Sequence, residues 1–325
     1  MAVTSAAADG PQHPPGTHGA AGKPRGESTT PLPPAIEVQH LAHHYGRRCI
    51  YQDLDFTVPQ GSVVALLGKN GVGKTTLIRL LMGYLKPTGG QCRVLGEPSH
   101  TLSPATRARI GLLFEGHLSY DFMSIAEIER FYRPFFGRWR QALYYDLVDR
   151  LQLPHDHKIA HMSCGQRSQV VLGLIFAQDP DLMILDDYSM GLDAGYRRLF
   201  LDYLRRYLDQ GGKTVFVTSH VVQDMESLVD EVIFLKRGGA VLQMPLATFR
   251  DRFRCFAFDL QGDSPPAPDA VIENIDMHGR EHLLYSFAAP DRLRGHLATR
   301  WSQVRLGEER AMTLEDAFIG LTGKY

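Results

Sequence analysis

Cysteine is scarce and scattered. Cys49, Cys92, Cys164 and Cys255 are the only four in 325 residues, with no Cys-x-x-Cys pair, which argues against a disulfide framework and suits free thiols in a reducing compartment. Net charge is nearly absent: 35 Lys and Arg against 36 Asp and Glu leave −1. No overall field therefore draws the chain to nucleic acid or anionic lipid, and any such contact must come from a local patch. Long apolar runs are missing too. The longest, residues 170–177, is interrupted by Gly173 and falls well short of the ~18 to 20 residues of a membrane helix. The N-terminus has neither the basic region nor the apolar core of a secretory signal, so the expected location is cytoplasmic. Large apolar side chains are almost absent from residues 1–34, which are rich in Ala, Gly, Pro, Ser and Thr. Such a segment cannot bury enough surface to offset its ordering entropy, and a disordered tail is expected. Internal repeats are also lacking.

What is present is ordinary for a globular protein: 44% hydrophobic and 22% charged residues, with room for one large α/β domain and a smaller one. Residues 36–41 alternate apolar and polar like an edge strand, and a second strand is expected over 50–58, ended by the turn signal Pro59-Gln60-Gly61. A turn at 87–90 precedes a short strand at 91–95. Residues 124–153 read as predominantly helical, with Trp139, Leu143, Leu147 and Leu151 at every fourth position and Pro154 closing the run. Then helix and strand alternate: helix 166–178, strand 182–185, helix 194–208, strand 214–218, the order of a parallel sheet with helices on both faces. Beyond about Leu246 the pattern changes to strands at 256–260 and 283–287 and a helix at 314–321, around the linker 262–268. The expected domains are a tail (1–34), a main domain (35–246, with a helical subdomain at about 115–165) and a small α+β appendage (247–325).

The chemistry starts at residues 68–76. Gly68, Lys69, Asn70, Gly71, Val72, Gly73, Lys74, Thr75 and Thr76 match the phosphate-binding pattern G-x-x-x-x-G-K-[ST]. An apolar strand over 63–67 precedes them and a helix over 76–82, with Leu77, Leu80 and Leu81 on one face, follows. The glycines let successive N–H groups converge on phosphate oxygens, and the helix N-terminus adds positive charge. Lys74 would reach the β- and γ-phosphates and Thr75 would offer its hydroxyl to Mg²⁺. A ligand-free Gly-rich turn is the bland alternative, and the strand–loop–helix context speaks against it.

Downstream, four apolar residues end in Asp186, the form of a buried strand that delivers a carboxylate to a Mg²⁺ shell. Before it stands Met162-Ser163-Cys164-Gly165-Gln166; after it come Gly191-Leu192-Asp193 and Thr218-Ser219-His220. This ordered set, over about 35–246, closely resembles the ATP-binding cassette (ABC) transporter ATPases. Residues 101–243 and the ending Thr313-Leu314-Glu315-Asp316-Ala317-Phe318 look most like single-cassette subunits of drug- and polysaccharide-type exporters. The resemblance implies a P-loop NTPase core with an N-terminal antiparallel β subdomain, a helical subdomain and the C-terminal appendage. It implies ATP and Mg²⁺ as cofactors, a separately encoded permease, and a homodimer closing head to tail around two ATP molecules. Each ATP would lie between Lys74 of one chain and Ser163, Cys164, Gly165 and Gln166 of the other. Tyr45 would stack on adenine, Asp193 would join the nucleotide-binding residues, and His220 would contact the γ-phosphate and hold the attacking water.

Three positions depart from the common family pattern. Asp187 stands where a Glu usually polarises that water; one methylene less reach at a catalytic group can cost about a hundredfold, so hydrolysis is expected but slow. Glu115 stands where many members have Gln, between the Mg²⁺ region and the permease-facing subdomain, and is a candidate catalytic group and Mg²⁺ ligand. Cys164 replaces a Gly and reads as tolerated variation.

Two clusters invite other readings. His155, His157, His161 and Cys164 could be drawn as a metal site, but they straddle the loop that faces ATP. The basic and aromatic residues of 130–140 could bind nucleic acid, but they read better as an aromatic core with an Arg-rich rim that meets a permease; no nucleic-acid partner is expected. The expected activity is ATP hydrolysis driving export. The rivals are a cassette ATPase acting on ribosomes or DNA, disfavoured by the single cassette without a coiled-coil insertion, and a slow regulatory ATP clamp.

Overall fold

The computed structural model describes residues 33–114, 120–187, 194–218, 226–236, 238–239, 241–262, 265–277 and 281–323. The expected tail lies almost wholly outside them.

The chain opens on an antiparallel sheet in the order β2-β1-β4-β5, built from β1 (Ile36–Tyr45), β2 (Arg48–Val58), β4 (Gly89–Val94) and β5 (Glu97–Pro98). Ile36 and Val38 face inward as the alternation requires. At His40 the backbone turns left-handed (φ 48°) and the register with β2 shifts, so Leu41 is the next buried position.

The central sheet has the order β10-β9-β3-β8-β7-β6. It comprises β3 (Val63–Leu67), β6 (Ile110–Leu113), β7 (Leu182–Asp186), β8 (Thr214–Thr218), β9 (Glu231–Leu235) and β10 (Val241–Pro245). The strands from β9 to β6 are parallel, and β10 runs antiparallel along β9. Every residue of β3, β7 and β8 is buried, as expected of a parallel sheet covered on both faces. On one face Val64, Leu66, Ile184 and Phe216 pack with Leu77 and Leu80 of α1 (Lys74–Leu81) and with the first sheet. On the other, Ala65, Met183 and Val215 pack with Phe176 of α5 (Cys164–Ala177) and Phe200 of α6 (Ala194–Leu208). A short α2 (Pro104–Arg107), capped by Ser103, leads into β6.

The helical subdomain has its own core. Ile125 and Ile128 of α3 (Ile125–Tyr132) and Tyr144 and Val148 of α4 (Gln141–Val148) pack with Ile159 and Met162 onto Val170 and Leu174 of α5. The fourfold spacing from Trp139 to Leu151 is not one continuous helix. A 3₁₀ turn at Arg133–Phe135 holds Pro134, Gly137 follows, and α4 starts only at Gln141. Trp139 lies outside the helix and donates its indole N–H to the buried Glu129 at 2.9 Å.

After α7 (Leu246–Arg252) comes an antiparallel sheet in the order β12-β13-β11-β14, from β11 (Arg254–Leu260), β12 (Asn274–Asp276), β13 (His282–Ser286) and β14 (Val304–Arg310). Helices α8 (Pro290–Arg300) and α9 (Leu314–Thr322) accompany it. Phe256, Phe258 and Leu284 pack with Leu293 and Leu297 of α8 as a small separate core. Phe249, Phe253, Tyr285, Leu314 and Leu321 instead join the core that holds Phe234 of β9, with the Phe234 and Phe249 rings 4.5 Å apart.

Candidate nucleotide-binding site

Three neighbouring strands end together. Thr218 of β8 pairs with Leu66 of β3 on one side and with Asp186 of β7 on the other. The C-terminal edge of the sheet thus carries the phosphate loop, Asp186 and Thr218 side by side, in the crevice where open α/β sheets bind ligands.

Residues 68–76 run from β3 into α1. Gly71 and Gly73 hold left-handed backbone (φ 78° and 116°), and Gly73 is the N-cap of α1. A Cβ at Gly73 would strike the Tyr51 ring, and one at Gly68 would sit 2.8 Å from Val72 and 2.9 Å from the Leu235 carbonyl; both positions need glycine. Tyr51, fully buried on β2, donates its hydroxyl to the Gly73 carbonyl at 2.5 Å, and the same carbonyl accepts the Leu77 amide at 2.9 Å. The Lys74 ammonium curls over the loop, donating to the carbonyls of Gly68 (2.6 Å) and Lys69 (3.2 Å). Burial lowers the Lys74 pKa, while the carboxylates of Asp187 and Asp186 work against that shift.

Asp186 is 4% exposed. Its Oδ1 accepts the Thr218 hydroxyl at 2.6 Å, and its Oδ2 is buried with no hydrogen-bond partner among the described residues. A buried carboxylate oxygen left open in this way fits a hard cation, with the Thr75 hydroxyl in the same cleft as a second oxygen ligand. Asp187 follows in left-handed conformation (φ 44°), which Asp tolerates better than most residues. Its amide donates to both the carbonyl (3.0 Å) and the hydroxyl (3.1 Å) of Thr218.

Tyr45, Asn70, Gly71, Gly73, Lys74, Thr75, Thr76, Asp186 and Asp187 line one cleft of about 350 Å³, together with Arg48 and Ile50. Tyr45 stands at the end of β1, 42% exposed, with His43 edge-on to its ring at 4.9 Å. Burial, with the neighbouring His44, lowers the His43 pKa. Lys69, Asn70 and Val72 also border a second cavity of about 550 Å³, closed by Leu235 and by Leu321 and Thr322 at the end of α9.

Ser163, Cys164, Gly165 and Gln166 do not line the nucleotide cleft. They open α5: Ser163 is its N-cap, accepting the Gln166 amide at 3.3 Å while the Gln166 side chain accepts the Ser163 amide at 2.9 Å. Ser163 and Cys164 are exposed, and all four cysteines are free. Gly165 is buried against Tyr196 of α6, whose ring would lie 2.7 Å from an added Cβ. Glu115, His220 and Asp193 lie outside the described residues. Sequence reasoning gave Tyr51 no role and treated Thr218 only as a neighbour of His220; nothing in a lone Tyr on a strand signals a bond to a loop 22 positions away.

This fold and loop define a P-loop nucleotide-binding protein. Residues 51–189 match the family model described as ABC transporter. The chain is 30% identical over 301 residues to the Nod factor export ATP-binding protein I of Sinorhizobium fredii, covering 89% of this chain and 86% of that one. It is 30% identical over 300 residues to the protein of the same name from Rhizobium meliloti, covering 89% and 88%. A solved ATP-binding subunit of an ABC transporter superposes with a TM-score of 0.60 at 24% identity, covering 67% of this chain and 92% of its own, a likeness of fold. The chain belongs to the ABC transporter family, as an ATP-binding subunit. No helix among its described residues is long and apolar enough to cross a membrane.

Proposed function

We propose that this chain is the motor of an exporter: a homodimer of cassettes, docked on a separately encoded permease at the cytoplasmic face of a membrane, that hydrolyses ATP. ATP closes the dimer, hydrolysis reopens it, and the permease turns the cycle into alternating access. One observation carries the reading. The Ser163 loop heads a well-capped helix and is exposed, yet lies outside the cleft that Lys74 lines, so it would reach a triphosphate only on a second copy of the chain. The names of the Sinorhizobium and Rhizobium relatives support export as the direction. Phe122 (64% exposed), Phe131 (37%) and Phe135 (64%) on the helical subdomain support a docking surface there.

Within the site, Tyr45 stacks on adenine and the amides of residues 68–76 with Lys74 hold the phosphates. Thr75 and Asp186 would hold Mg²⁺, which would supply charge neutralisation to the bound phosphates. Asp187 accepts a proton from the attacking water, with Glu115, Asp193 and His220 completing the site. Slow turnover follows from the short reach of Asp187.

Dimerisation tests this. Asp187→Asn, blocked in hydrolysis, is expected to elute as a dimer with ATP and as a monomer without it. Adding Ser163→Arg is expected to abolish the dimer while ATP still binds. A protein that stays monomeric with ATP in the presence of its permease sinks the proposal.

A further inference from the structure

Thr218 is fully buried at the end of β8, and its hydroxyl makes two hydrogen bonds whose directions are fixed. It accepts the Asp187 amide at 3.1 Å, an N–H that can only donate. Its own proton is therefore free to go to Asp186 Oδ1, 2.6 Å away, the shorter contact of the two. The result is a one-way chain from the Asp187 N–H through the Thr218 O–H to the Asp186 carboxylate, of the kind that polarises along its length. It ends with one carboxylate oxygen tied down and the other, Oδ2, buried and without a partner among the described residues.

We propose that Thr218 is the positioning residue of the metal site: its hydroxyl locks the Asp186 side chain so that Oδ2 alone is presented to the divalent cation of a bound nucleotide. The proposal rests on the nucleotide-site reading above. It assigns to β8 a role separate from that of His220 two residues on. The same hydroxyl holds the backbone of Asp187, so the cation ligand and the water-positioning carboxylate are set by one side chain and keep a fixed relation to each other. A site built in this way tolerates little change at position 218. Serine keeps the hydroxyl; valine keeps the shape and strand preference but leaves Oδ1 buried and unpaired. In the valine variant the Asp187 amide loses the hydroxyl but keeps the Thr218 main-chain carbonyl at 3.0 Å, so the larger loss falls on the carboxylate.

The experiment measures Mn²⁺ affinity by electron paramagnetic resonance in the full-length protein saturated with ADP, alongside ADP affinity in chelator. Thr218→Val is expected to weaken Mn²⁺ binding at least about tenfold, the usual effect of losing an outer partner of a metal ligand. Thr218→Ser is expected to stay within about twofold of the parent on the same scale, and ADP affinity without metal is expected to be equal in all three proteins. Parental Mn²⁺ affinity in Thr218→Val overturns the assignment. So does a parallel fall in metal-free ADP affinity, or failure of serine to restore the metal. Absence of ADP binding in the parent protein would instead reject the nucleotide-site reading itself.

Discussion

Tyr51 reaches from the second strand of the antiparallel sheet to the Gly73 carbonyl, 2.5 Å away, at the point where the phosphate loop becomes helix. That carbonyl belongs to the peptide whose N–H is Lys74's, so the phenol both fixes the orientation of the peptide and strengthens its amide as a donor to phosphate. Tyr51→Phe keeps the buried ring and removes only the O–H. A hydrogen bond of this kind contributes about 0.5–1.5 kcal/mol, so ATP affinity is expected to fall roughly three- to tenfold by calorimetric titration while adenosine, which has no phosphate, binds as before. Equal loss for both ligands would show that the hydroxyl supports the fold and not the loop.

Phe249 is fully buried, 4.5 Å from Phe234 of the central sheet and stacked on Phe253 at 5.1 Å. The C-terminal segment therefore shares a core with the nucleotide-binding sheet. Phe249→Ala is expected to destabilise by about 3–5 kcal/mol, and differential scanning calorimetry should show the loss in a single transition that ATP shifts upward. Two transitions, with the ATP-sensitive one unaffected by the substitution, would show that the two parts unfold independently.

The parts of the fold that could be read in advance are those with a strong period or a fixed motif. The buried strands at Val63–Leu67, Leu182–Asp186 and Thr214–Thr218 are built on apolar runs at 63–67, 182–185 and 215–217, and residues 68–76 follow a pattern set by phosphate chemistry. Helix α8 escaped because its eleven residues offer only Leu293 and Leu297 to a core amid three arginines and an aspartate. Strand β14 escaped because Val304 and Leu306 are followed by Gly307, Glu308, Glu309 and Arg310, whose pairing with β11 is decided by tertiary partners such as Arg254, which holds Glu309 at 2.9 Å. Trp139 misled for the opposite reason: its spacing fits a helix, but Pro134 and Gly137 break the backbone before the period can take hold. In the cleft, Lys74, Thr75 and Asp186 can be picked out from the sequence because each falls in a pattern set by nucleotide chemistry. Tyr51 and Thr218 cannot, since what they do is to hold other residues.

Asp269 ties the C-terminal segment together. Its Oδ1 accepts the amides of Val271 (2.8 Å) and Ile272 (2.9 Å), and its Oδ2 meets His296 (2.8 Å) and Arg300 (2.9 Å), with the side chain only 13% exposed. Burial raises its pKa, but the amides of Ile272 and Val271 and the His296 ring outweigh that and bring it down from 3.8 to about 2. A carboxyl depressed on folding contributes stability that is present above its unfolded pKa and lost as pH falls through the folded one. The contribution is therefore complete above about pH 4 and disappears towards pH 2. Trp301, whose ring lies 5.6 Å from His296, reports the change by fluorescence. Asp269→Asn is expected to flatten this part of the acid titration and to destabilise the segment at pH 7 by about 1.5–3 kcal/mol, the range for hydrogen bonds to a charged group. An unchanged acid profile in Asp269→Asn would remove Asp269 from the account.

Asp187 sits in left-handed backbone at φ 44°, held there by two hydrogen bonds from its amide to Thr218. Two effects oppose each other at this position. On the proposed mechanism glutamate would lengthen the reach to the reacting water, but it accepts left-handed backbone less readily, a strain of roughly 1 kcal/mol. The strain bears on stability and the reach on the reacting water, so the two should separate experimentally. Asp187→Glu is expected to raise single-turnover ATP hydrolysis in the assembled complex while lowering the melting temperature by a few degrees, as about 1 kcal/mol does in a chain of this size. Asp187→Asn, which keeps the backbone preference and loses the base, is expected to melt like the parent and to hydrolyse about a hundredfold or more slowly, the usual contribution of general-base catalysis, with ATP binding retained. If asparagine instead hydrolyses at the parental rate, the water is positioned by another group, and the left-handed aspartate serves only to shape the turn after β7.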